Sequence, residues 1–301
     1  MNVRRPIDAD APAVAALVHA FETHFKGQGE MSEADVRNKW RELDRQHDAW
    51  LVELDGELAG YGGLYTKPHK FVDGYVHPAH FGRGVGARIA ELTEAEARER
   101  GIELLRYGVL AADERAEALL ASRGYLEVRR FYRMQIELDA APEPATWPEG
   151  LELTAFDPAE AKAFHAALDD AFADHWDHRP ESFEDWSTRW LDAPDADFSL
   201  WFAVKDGDEI AAALIAHPER YGVGLVELLG VRPPWRRRGL GIALLRHSFG
   251  RLYDRGQRVI GLGVDAQNPT GAARLYERAG MHVAWTSILM EKRLERGVSA
   301  V

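Results

Sequence analysis

Arginines and glycines cluster directly after an apolar run in the second half of the chain. The segment reads ELLGVRPPWRRRGLGIALL, in which prolines end a predicted strand at Val231 and the glycines open a predicted helix. The residues of this glycine turn are Arg236, Arg237, Arg238, Gly239, Leu240 and Gly241. Glycines let neighbouring backbone N–H groups turn toward one point, and a helix N-terminus adds unpaired donors and a positive dipole end. With three positive side chains, the turn is typical of a cradle for a diphosphate.

Two other phosphate-binding motifs are excluded at this turn. The chain has no G-x-x-x-x-G-K-[ST] motif. G-x-G-x-x-G is not met either, because Leu244 stands where the last glycine would be. The alternative to a diphosphate cradle is a solvated basic turn ahead of an ordinary helix.

Three segments of the first half recur in the second half in the same order. SEADVRNKW matches SFEDWSTRW, AWLVELDGELAGYGG matches LWFAVKDGDEIAAAL, and VHPAHFGRGVGARI matches VRPPWRRRGLGIALL. The distance between matching positions changes only between 150 and 155 residues, as short loop insertions would make it do. The sequence therefore predicts a tandem duplication of one domain.

The joint between the copies is predicted at DAAPEPATWPEG, Asp139 to Gly150, where prolines and small residues interrupt the periodicity. We expect an N-terminal domain over 1–138, a linker over 139–150 and a C-terminal domain over 151–301. In the second copy the sequence predicts strands over 151–155, 225–231, 259–264 and 284–292. It predicts helices over 158–173, 182–191, 240–254 and 270–279. A hairpin is predicted around an Asp-Gly turn. This order indicates an α/β (α+β) fold, a mostly antiparallel sheet flanked by helices, in each domain.

Composition narrows the class of protein. The chain has 301 residues, 46% hydrophobic and 29% charged, and no cysteine, so disulfides and a cysteine nucleophile are excluded. A formal charge of −12 disfavours nucleic-acid binding and attracts cationic small molecules. No apolar window of about 18 residues and no signal-peptide core is present, so we expect a cytoplasmic protein without membrane association. It is expected to be a monomer or a homodimer.

The glycine turn resembles the acetyl-CoA-binding signature of the GNAT acyltransferase superfamily, [QR]-x-x-G-x-[GA], with Arg236, Gly239 and Gly241 at the fixed positions. Downstream, GVDAQNPTGAARLYERAGM is similar to the family segment N-x-x-A-x-x-L-Y-x-[KRE]-x-G-[FM]. The two copies cover nearly the whole chain, an arrangement similar to the tandem GNAT proteins that include mycothiol synthase. In those proteins the C-terminal copy carries the activity. The resemblance implies an N-acetyltransferase with acetyl-CoA as co-substrate and a small-molecule amine as acceptor.

The same resemblance implies how acetyl-CoA is held. The pantetheine would lie along Leu229, Gly230 and Val231, with the backbone N–H of Val231 facing the thioester oxygen. The glycine turn would take the diphosphate. Asn268 would reach the pantetheine arm, and the alternative is a simple N-cap of the next helix.

Two residues are expected to move protons. Tyr276 matches the family tyrosine that lies near the sulfur and donates a proton to it, and the alternative is a core aromatic residue. Glu227 stands four residues before Val231, on the same face of a strand, and could take the proton of the amine directly or through water. The alternative for Glu227 is an exposed edge residue.

The acceptor pocket is expected at the turn between the first two helices of the second copy. Asp174, His175 and Trp176 would hold a cationic or ring-bearing amine there. A metal site through His175 and His178 is disfavoured because no further clear ligand is present, so no metal is expected. A solvated amphipathic turn is the remaining alternative.

The first copy keeps its glycines but not the other signature residues. Gly84 and Gly86 match Gly239 and Gly241, and with Val76 and Arg83 they form a candidate second cofactor turn. However, the signature positions occupied by Arg236, Asn268 and Tyr276 hold Phe81, Ala112 and Leu120, respectively. We expect a catalytically silent domain, which either binds CoA weakly or serves as a structural half.

Several functions remain open at this stage. The acceptor could be a cysteinyl pseudo-disaccharide, an aminoglycoside-like antibiotic, a small polyamine or a protein lysine. A different class is a non-catalytic protein that senses acyl-CoA or another ligand. The presence of Tyr276 and Asn268 in one copy and their loss in the other favours the enzyme.

Overall fold

The computed structural model describes residues 1–66 and 71–294, which form two compact units. The first unit contains Met1–Phe131 and the segment from Trp285 onward, and the second unit contains Tyr132–Ala284. The division falls inside the last strand of each repeat, so residues 132–137 lie in the second unit and the residues from Trp285 onward lie in the first. The boundaries expected at 138 and 151 follow the proline-rich connection instead, because turn residues mark where the chain bends and not which strands share a core.

Both repeats contain the same series of elements. In the first repeat these are β1 (Asn2–Arg4), α1 (Ala11–Lys26), α2 (Glu33–Trp40), α3 (Arg45–Asp48), β2 (Ala49–Leu54), β3 (Glu57–Tyr65), β4 (Phe71–Val76), α4 (Val85–Glu99), β5 (Leu104–Leu110), α5 (Glu114–Ser122) and β6 (Leu126–Glu137). In the second they are β7 (Glu152–Ala155), α6 (Ala161–Phe172), α7 (Phe183–Trp190), β8 (Trp201–Asp206), β9 (Glu209–Arg220), β10 (Val223–Val231), α8 (Leu240–Asp254), β11 (Val259–Asp265), α9 (Ala272–Arg278) and β12 (His282–Arg293). A 3-10 turn at Phe198–Leu200 stands in the place of α3. The predicted α+β class is confirmed.

The sheets of the two units have the same order of strands. The first unit has β1-β2-β3-β4-β5-β12 and the second β7-β8-β9-β10-β11-β6. Pairing is antiparallel along β7-β8-β9-β10 and along β1-β2-β3-β4, and it is parallel between β4 and β5 and between β10 and β11. The mostly antiparallel sheet expected from the sequence is therefore present in each unit.

The parallel pair of the second unit separates at one end. The pairing of β10 with β11 ends at Val226 and Leu262, although the strands continue to Val231 and Asp265. On its other side β10 stays paired with β9 as far as Val231. The last residues of β10 therefore have one paired edge and one open edge.

Helices cover both faces of the second unit's sheet. On one face Leu244, Phe249 and Leu252 of α8 share a buried cluster with Val226 and Ile260. On the other face a second cluster joins α6 and α7 to β8 and β9; it includes Phe164, Leu168, Trp186, Trp201 and Ile215. Truncating one such large side chain to alanine costs about 2–5 kcal/mol. These cores fix the start of α8 and the end of α6 at the same end of β10.

Among the described residues, no helix is both long enough and apolar enough to cross a membrane.

Candidate active site

The glycine turn links β10 to α8 through an unusual backbone. A 3-10 turn over Pro233–Trp235 follows the strand, and Gly239 caps α8 in the left-handed region with φ +87°. Arg237 is also left-handed, with φ +62°. This conformation costs a non-glycine residue about 1–2 kcal/mol. The turn therefore has an arginine at a position where glycine would give a more stable backbone. No side chain of the described residues caps α8, which leaves the N-terminal N–H groups available to an anion.

The three arginines of the turn have different surroundings. Arg236 donates from Nε to the Val231 carbonyl at 3.0 Å and from Nη2 to the Ala171 carbonyl at 3.0 Å, and it forms an ion pair with Asp174. Arg238 lies 3.8 Å from a carboxylate oxygen of Asp206. Arg237 is exposed and makes no hydrogen bond or ion pair with the described residues. Of the three, Arg237 is the side chain best placed to meet a phosphate.

Two glycines in this region allow close packing. A Cβ on Gly230 would lie 2.8 Å from the Cβ of Ala171, so glycine is needed where α6 meets β10. A Cβ on Gly241 would lie 3.0 Å from Cδ1 of Leu275, which permits α8 to approach α9. The glycines of the signature therefore serve packing as well as the turn.

The open edge of β10 presents backbone donors. The N–H of Arg232 donates to the Ala211 carbonyl at 3.0 Å, on the β9 side. Since successive N–H groups of a strand point to opposite sides, the N–H groups of Val231 and Leu229 face the open edge. This is the orientation that the predicted contacts with the thioester and the pantetheine require.

Glu227 lies where β10 changes register. The pairing with β9 shifts between Val226 and Leu228, so Glu227 is the extra residue of a β-bulge. Its Oε2 is 3.3 Å from Nη1 of Arg220, whose Nη2 donates to Asp195 at 3.0 Å. The side chain of Glu227 is 32% exposed. Glu227 is therefore a surface carboxylate held by an arginine, and it remains accessible to a ligand.

Two residues near this carboxylate, Arg220 and His217, belong to no motif in the sequence. His217 is 2% exposed, its ring stacks on Trp190 at 6.2 Å, and its Nε2 lies 3.4 Å from Nη1 of Arg220. Burial, and then the charge of Arg220, lowers the pKa of His217 below its usual value. The only signal in the sequence is a histidine that interrupts the apolar run AAALIAH shortly before a turn.

Tyr276 lies on α9 with its side chain in the core. It is 7% exposed, and burial raises the pKa of Tyr276 to about 12. Its hydroxyl makes no hydrogen bond within the described parts of the chain. A phenol in this state keeps its proton at neutral pH, so its hydroxyl is a hydrogen-bond donor.

Asn268 forms the turn before α9. Its Oδ1 accepts from the backbone N–H of Thr270 at 2.8 Å and from the Thr270 hydroxyl at 2.5 Å. The N-cap of α9 is Gly271, so the alternative that Asn268 is a simple N-cap is wrong. The side-chain amide nitrogen of Asn268 donates to no other described residue, which leaves it for a ligand.

The α6–α7 loop, residues 173–182, contains the predicted acceptor residues. Both oxygens of Asp174 contact Arg236, and this hydrogen bonding holds the pKa of Asp174 below its usual range. His175 lies 3.1 Å from the Trp176 carbonyl through Nδ1, and His178 lies 3.2 Å from a carboxylate oxygen of Asp169. The loop is thus close to the glycine turn, but Asp174 is occupied by an arginine.

Over residues 1–66 and 71–294, no group of three or more histidines and carboxylates is arranged to hold a metal ion.

The equivalent turn of the first unit keeps the backbone with different side chains. Gly82 and Gly84 have φ +72° and +81°. Phe81 contacts the ring of His24 at 5.4 Å, and the Arg115 guanidinium lies 4.1 Å above the Phe81 ring. The remaining candidate residues there are Val76, Arg83 and Gly86. Val76 ends β4, and Arg83 forms an ion pair with Asp55 at 2.6 Å. A Cβ added to Gly86 would lie 3.3 Å from Leu119. Leu120 is a buried core residue, and Ala112 is exposed.

Comparison with known proteins assigns the family. The model of the Acetyltransferase (GNAT) family matches residues 14–125 and 161–281, so the chain belongs to this family and contains two copies of its domain. The predicted class, a GNAT N-acetyltransferase, is confirmed. Members of this family generally take their acetyl group from acetyl-CoA.

Three similar proteins agree with this assignment. A mycothiol acetyltransferase of Thermobispora bispora is 32% identical over 255 residues, which are 81% of this chain and 83% of the relative. The crystal structure of a GCN5-related N-acetyltransferase from Sphaerobacter thermophilus is 34% identical, has a TM-score of 0.87 and covers 99% of this chain and 96% of its own. A tandem GNAT protein from the clavulanic acid biosynthesis pathway shares the fold, with a TM-score of 0.72 at 15% identity over 97% and 98% of the two chains. The tandem arrangement predicted from the sequence is therefore confirmed.

Proposed function

We propose that the protein transfers the acetyl group of acetyl-CoA to a primary amine of a small molecule, at one site in the second unit. The observation that carries this proposal is Tyr276, a buried phenol whose hydroxyl has no partner among the described residues, where the first unit has Leu120. The second unit also has Arg237, which pairs with none of the residues that the structure describes, at the position of Gly82. We take the first unit as a structural half without a second catalytic site.

The open edge of β10 and the glycine turn are the proposed binding surface for acetyl-CoA. The N–H groups of Leu229 and Val231 would pair with the pantetheine and with the thioester oxygen, and Gly230 keeps the strand close to α6. The diphosphate would lie on the N–H groups at the start of α8, beside Arg237. Asn268 would donate its amide to the pantetheine arm. An N–H facing the thioester oxygen stabilises the negative charge that develops there during attack.

Direct attack requires two proton movements. The amine nitrogen forms a bond to the acetyl carbon, and the carbon–sulfur bond breaks. Glu227 would take the proton that the amine releases, directly or through water. Tyr276 would give its proton to the sulfur of the leaving group; its raised pKa keeps that proton on the phenol at neutral pH until the thiolate forms.

The acceptor is proposed to be a cationic small molecule. Residues 169–185 contain seven acidic residues and one arginine, and three of the acids (Asp170, Asp174 and Glu181) pair with arginines outside the segment. The segment keeps a net negative charge after this pairing, which attracts a protonated amine. Because the Thermobispora bispora relative is named a mycothiol acetyltransferase, a cysteinyl pseudo-disaccharide is the first acceptor to test. An aminoglycoside and a polyamine follow. His175 and Trp176 remain the candidates for direct contact with it.

Calorimetric titration of acetyl-CoA tests the site. Gly239 and Gly84 have φ +87° and +81°, so an alanine at either adds similar backbone strain. We expect one site per chain, at least about 10-fold weaker binding for Gly239→Ala, and unchanged binding for the control Gly84→Ala. Two sites, or equal effects of the two variants, would contradict a single site in the second unit.

A CoA-release assay with the three acceptors separates the enzyme from a sensor; CoA is measured by chromatography, because the cysteinyl acceptor carries a thiol of its own. An acetyltransferase releases free CoA faster when the correct amine is added. Binding of acetyl-CoA without amine-dependent release for any amine in the panel would reject a small-molecule acceptor of these classes.

A further inference from the structure

The first signature residue, Arg236, connects two parts of the site. From the glycine turn its Nη1 donates to Oδ2 of Asp174 at 2.6 Å, and its Nη2 donates to Oδ1 at 3.1 Å. Asp174 belongs to the α6–α7 loop, so the ion pair joins the turn to this loop. A bidentate arginine–carboxylate pair fixes direction as well as distance.

The guanidinium is held in place by backbone as well as by charge. Its Nε and Nη2 each donate to a main-chain carbonyl, of Val231 and of Ala171. The Ala171 carbonyl is in the last turn of α6, where helix carbonyls lack partners within the helix. Arg236 therefore uses its donors inside the protein, and its side chain is not free to follow a phosphate.

A second arginine strengthens the same junction. Arg232 donates from Nε to Asp170 at 2.7 Å, one residue before Ala171. Gly230 lets the Ala171 methyl group reach the strand. The end of α6 is thus fastened to the end of β10, and the α6–α7 loop starts from this fixed point.

The first unit makes the same contact with different chemistry. Helices α1 and α6 start 150 residues apart, and this offset matches Asp174 with His24. The turns match at an offset of 155, which pairs Arg236 with Phe81. His24 and Phe81 are in edge-to-face contact at 5.4 Å. Both residues of the pair differ between the copies, yet the contact is present in both.

We propose that Asp174 is a positioning residue, which fastens the α6–α7 loop to the glycine turn through Arg236 and so places the acceptor relative to the acetyl donor. The proposal rests on the proposed function, and it moves Asp174 from direct contact with the amine to support of the residues that make it. Asp174 thereby affects the acceptor side of the reaction and leaves the binding of acetyl-CoA to other groups.

Hydrogen exchange of the full chain tests the loop without any acceptor. In Asp174→Asn we expect the amides of residues 173–182 to exchange about 3- to 10-fold faster, since the lost contacts are charge-assisted but partly exposed. The Kd of acetyl-CoA should stay within about 2-fold. As a matched control, Asp197→Asn removes an ion pair with Arg255 elsewhere in the same unit and should leave the loop unchanged.

The chain itself supplies a rescue. Asp174→His combined with Arg236→Phe installs the contact of the first unit, and this double variant should recover most of the loop protection that Asp174→His alone loses. With the cysteinyl pseudo-disaccharide as amine, Asp174→Asn should raise the KM for the amine about 10-fold and change the KM for acetyl-CoA little.

The two proposals fail differently. The positioning role is overturned if loop exchange in Asp174→Asn is unchanged. It is also overturned if the Kd of acetyl-CoA rises by the same factor as loop exchange accelerates. Failure of the unmodified protein to bind acetyl-CoA overturns the proposed function, while the exchange experiment still decides whether the ion pair orders the loop.

Discussion

The two glycine turns of this protein have nearly the same backbone and different side chains. Gly84 and Gly239 cap their helices with φ +81° and +87°, and Gly82 and Arg237 are both left-handed. In the first unit the turn is surrounded by aromatic contacts, whereas in the second it is lined by arginines, one of them without a partner among the described residues. Features present in both copies serve the fold, and under the proposed function the features present only in the second copy mark the catalytic site.

The same distinction applies at the start of the helices. Gly86 and Gly241 both sit against a leucine of the following helix, where a Cβ would lie 3.3 or 3.0 Å away. The fold requires this close packing, since it is present in both units. Tyr276 against Leu120 is the opposite case, since both side chains are buried but only one carries a proton.

The largest expected effect is at Tyr276. We expect Tyr276→Phe to lower turnover about 10²-fold with little change in the Kd of acetyl-CoA, because the ring still packs but no proton is available for the sulfur. Steady-state kinetics and calorimetry measure the two quantities. Tyr125→Phe, a change at a buried tyrosine of the first unit, is the control and should leave turnover unaltered. A Tyr276→Phe enzyme with normal turnover would remove this tyrosine from the chemistry.

An exchange between Arg237 and Gly82 should have an intermediate effect. Arg237→Gly relieves a left-handed backbone and should keep or raise stability, yet weaken acetyl-CoA about 10-fold by removing a charge-assisted contact. Gly82→Arg should instead cost about 1 kcal/mol of stability and create no new binding. Thermal unfolding measures the change in stability, and calorimetric titration measures the change in affinity for acetyl-CoA. If Arg237→Gly bound acetyl-CoA normally, the Arg237 guanidinium would have no role in the diphosphate site.

The smallest expected effect concerns a histidine that the second unit buries in β9. Because burial and Arg220 lower the pKa of His217, the unfolded chain takes up this proton at a higher pH than the folded protein. Stability should therefore fall as the pH drops below about 6.5, and level off below the folded pKa. His217→Phe keeps a ring against Trp190 and should reduce the decrease in melting temperature between neutral and mildly acidic pH. Burial also lowers the pKa of His247, so part of the decrease should persist. An identical decrease in the variant would show that His217 does not contribute.

Much of the fold could be read from local chemistry. The Asp-Gly hairpin turn, the prolines after Val231 and the glycines of the turn mark element ends in the sequence itself, and the observed limits lie within about three residues of the expected ones. The duplication followed from repeated segments. These features depend on residues close together in the chain, where propensity and turn chemistry act.

Other features depend on distant partners, and no local pattern encodes them. The bulge at Glu227 arises from the register with β9, and Arg236 meets Asp174 across 62 residues. Arginine in a phosphate-binding signature predicted a ligand contact, whereas the structure shows that this arginine is bound internally. The pairing of each last strand with a strand of the other repeat could not be predicted either. These strand partners are separated by more than a hundred residues, so no local sequence pattern reports their pairing.

That pairing affects how the protein is made. Strand β5 pairs with β12, and the paired residues are between 177 and 189 positions apart in the chain. At a synthesis rate of about 5–20 residues per second, β5 waits roughly 10–40 s on the ribosome for its partner. During this time one edge of the first sheet is uncovered, and such edges invite pairing with other chains. The uncovered edge of β5 is thus the part of the nascent chain most in need of protection until β12 emerges.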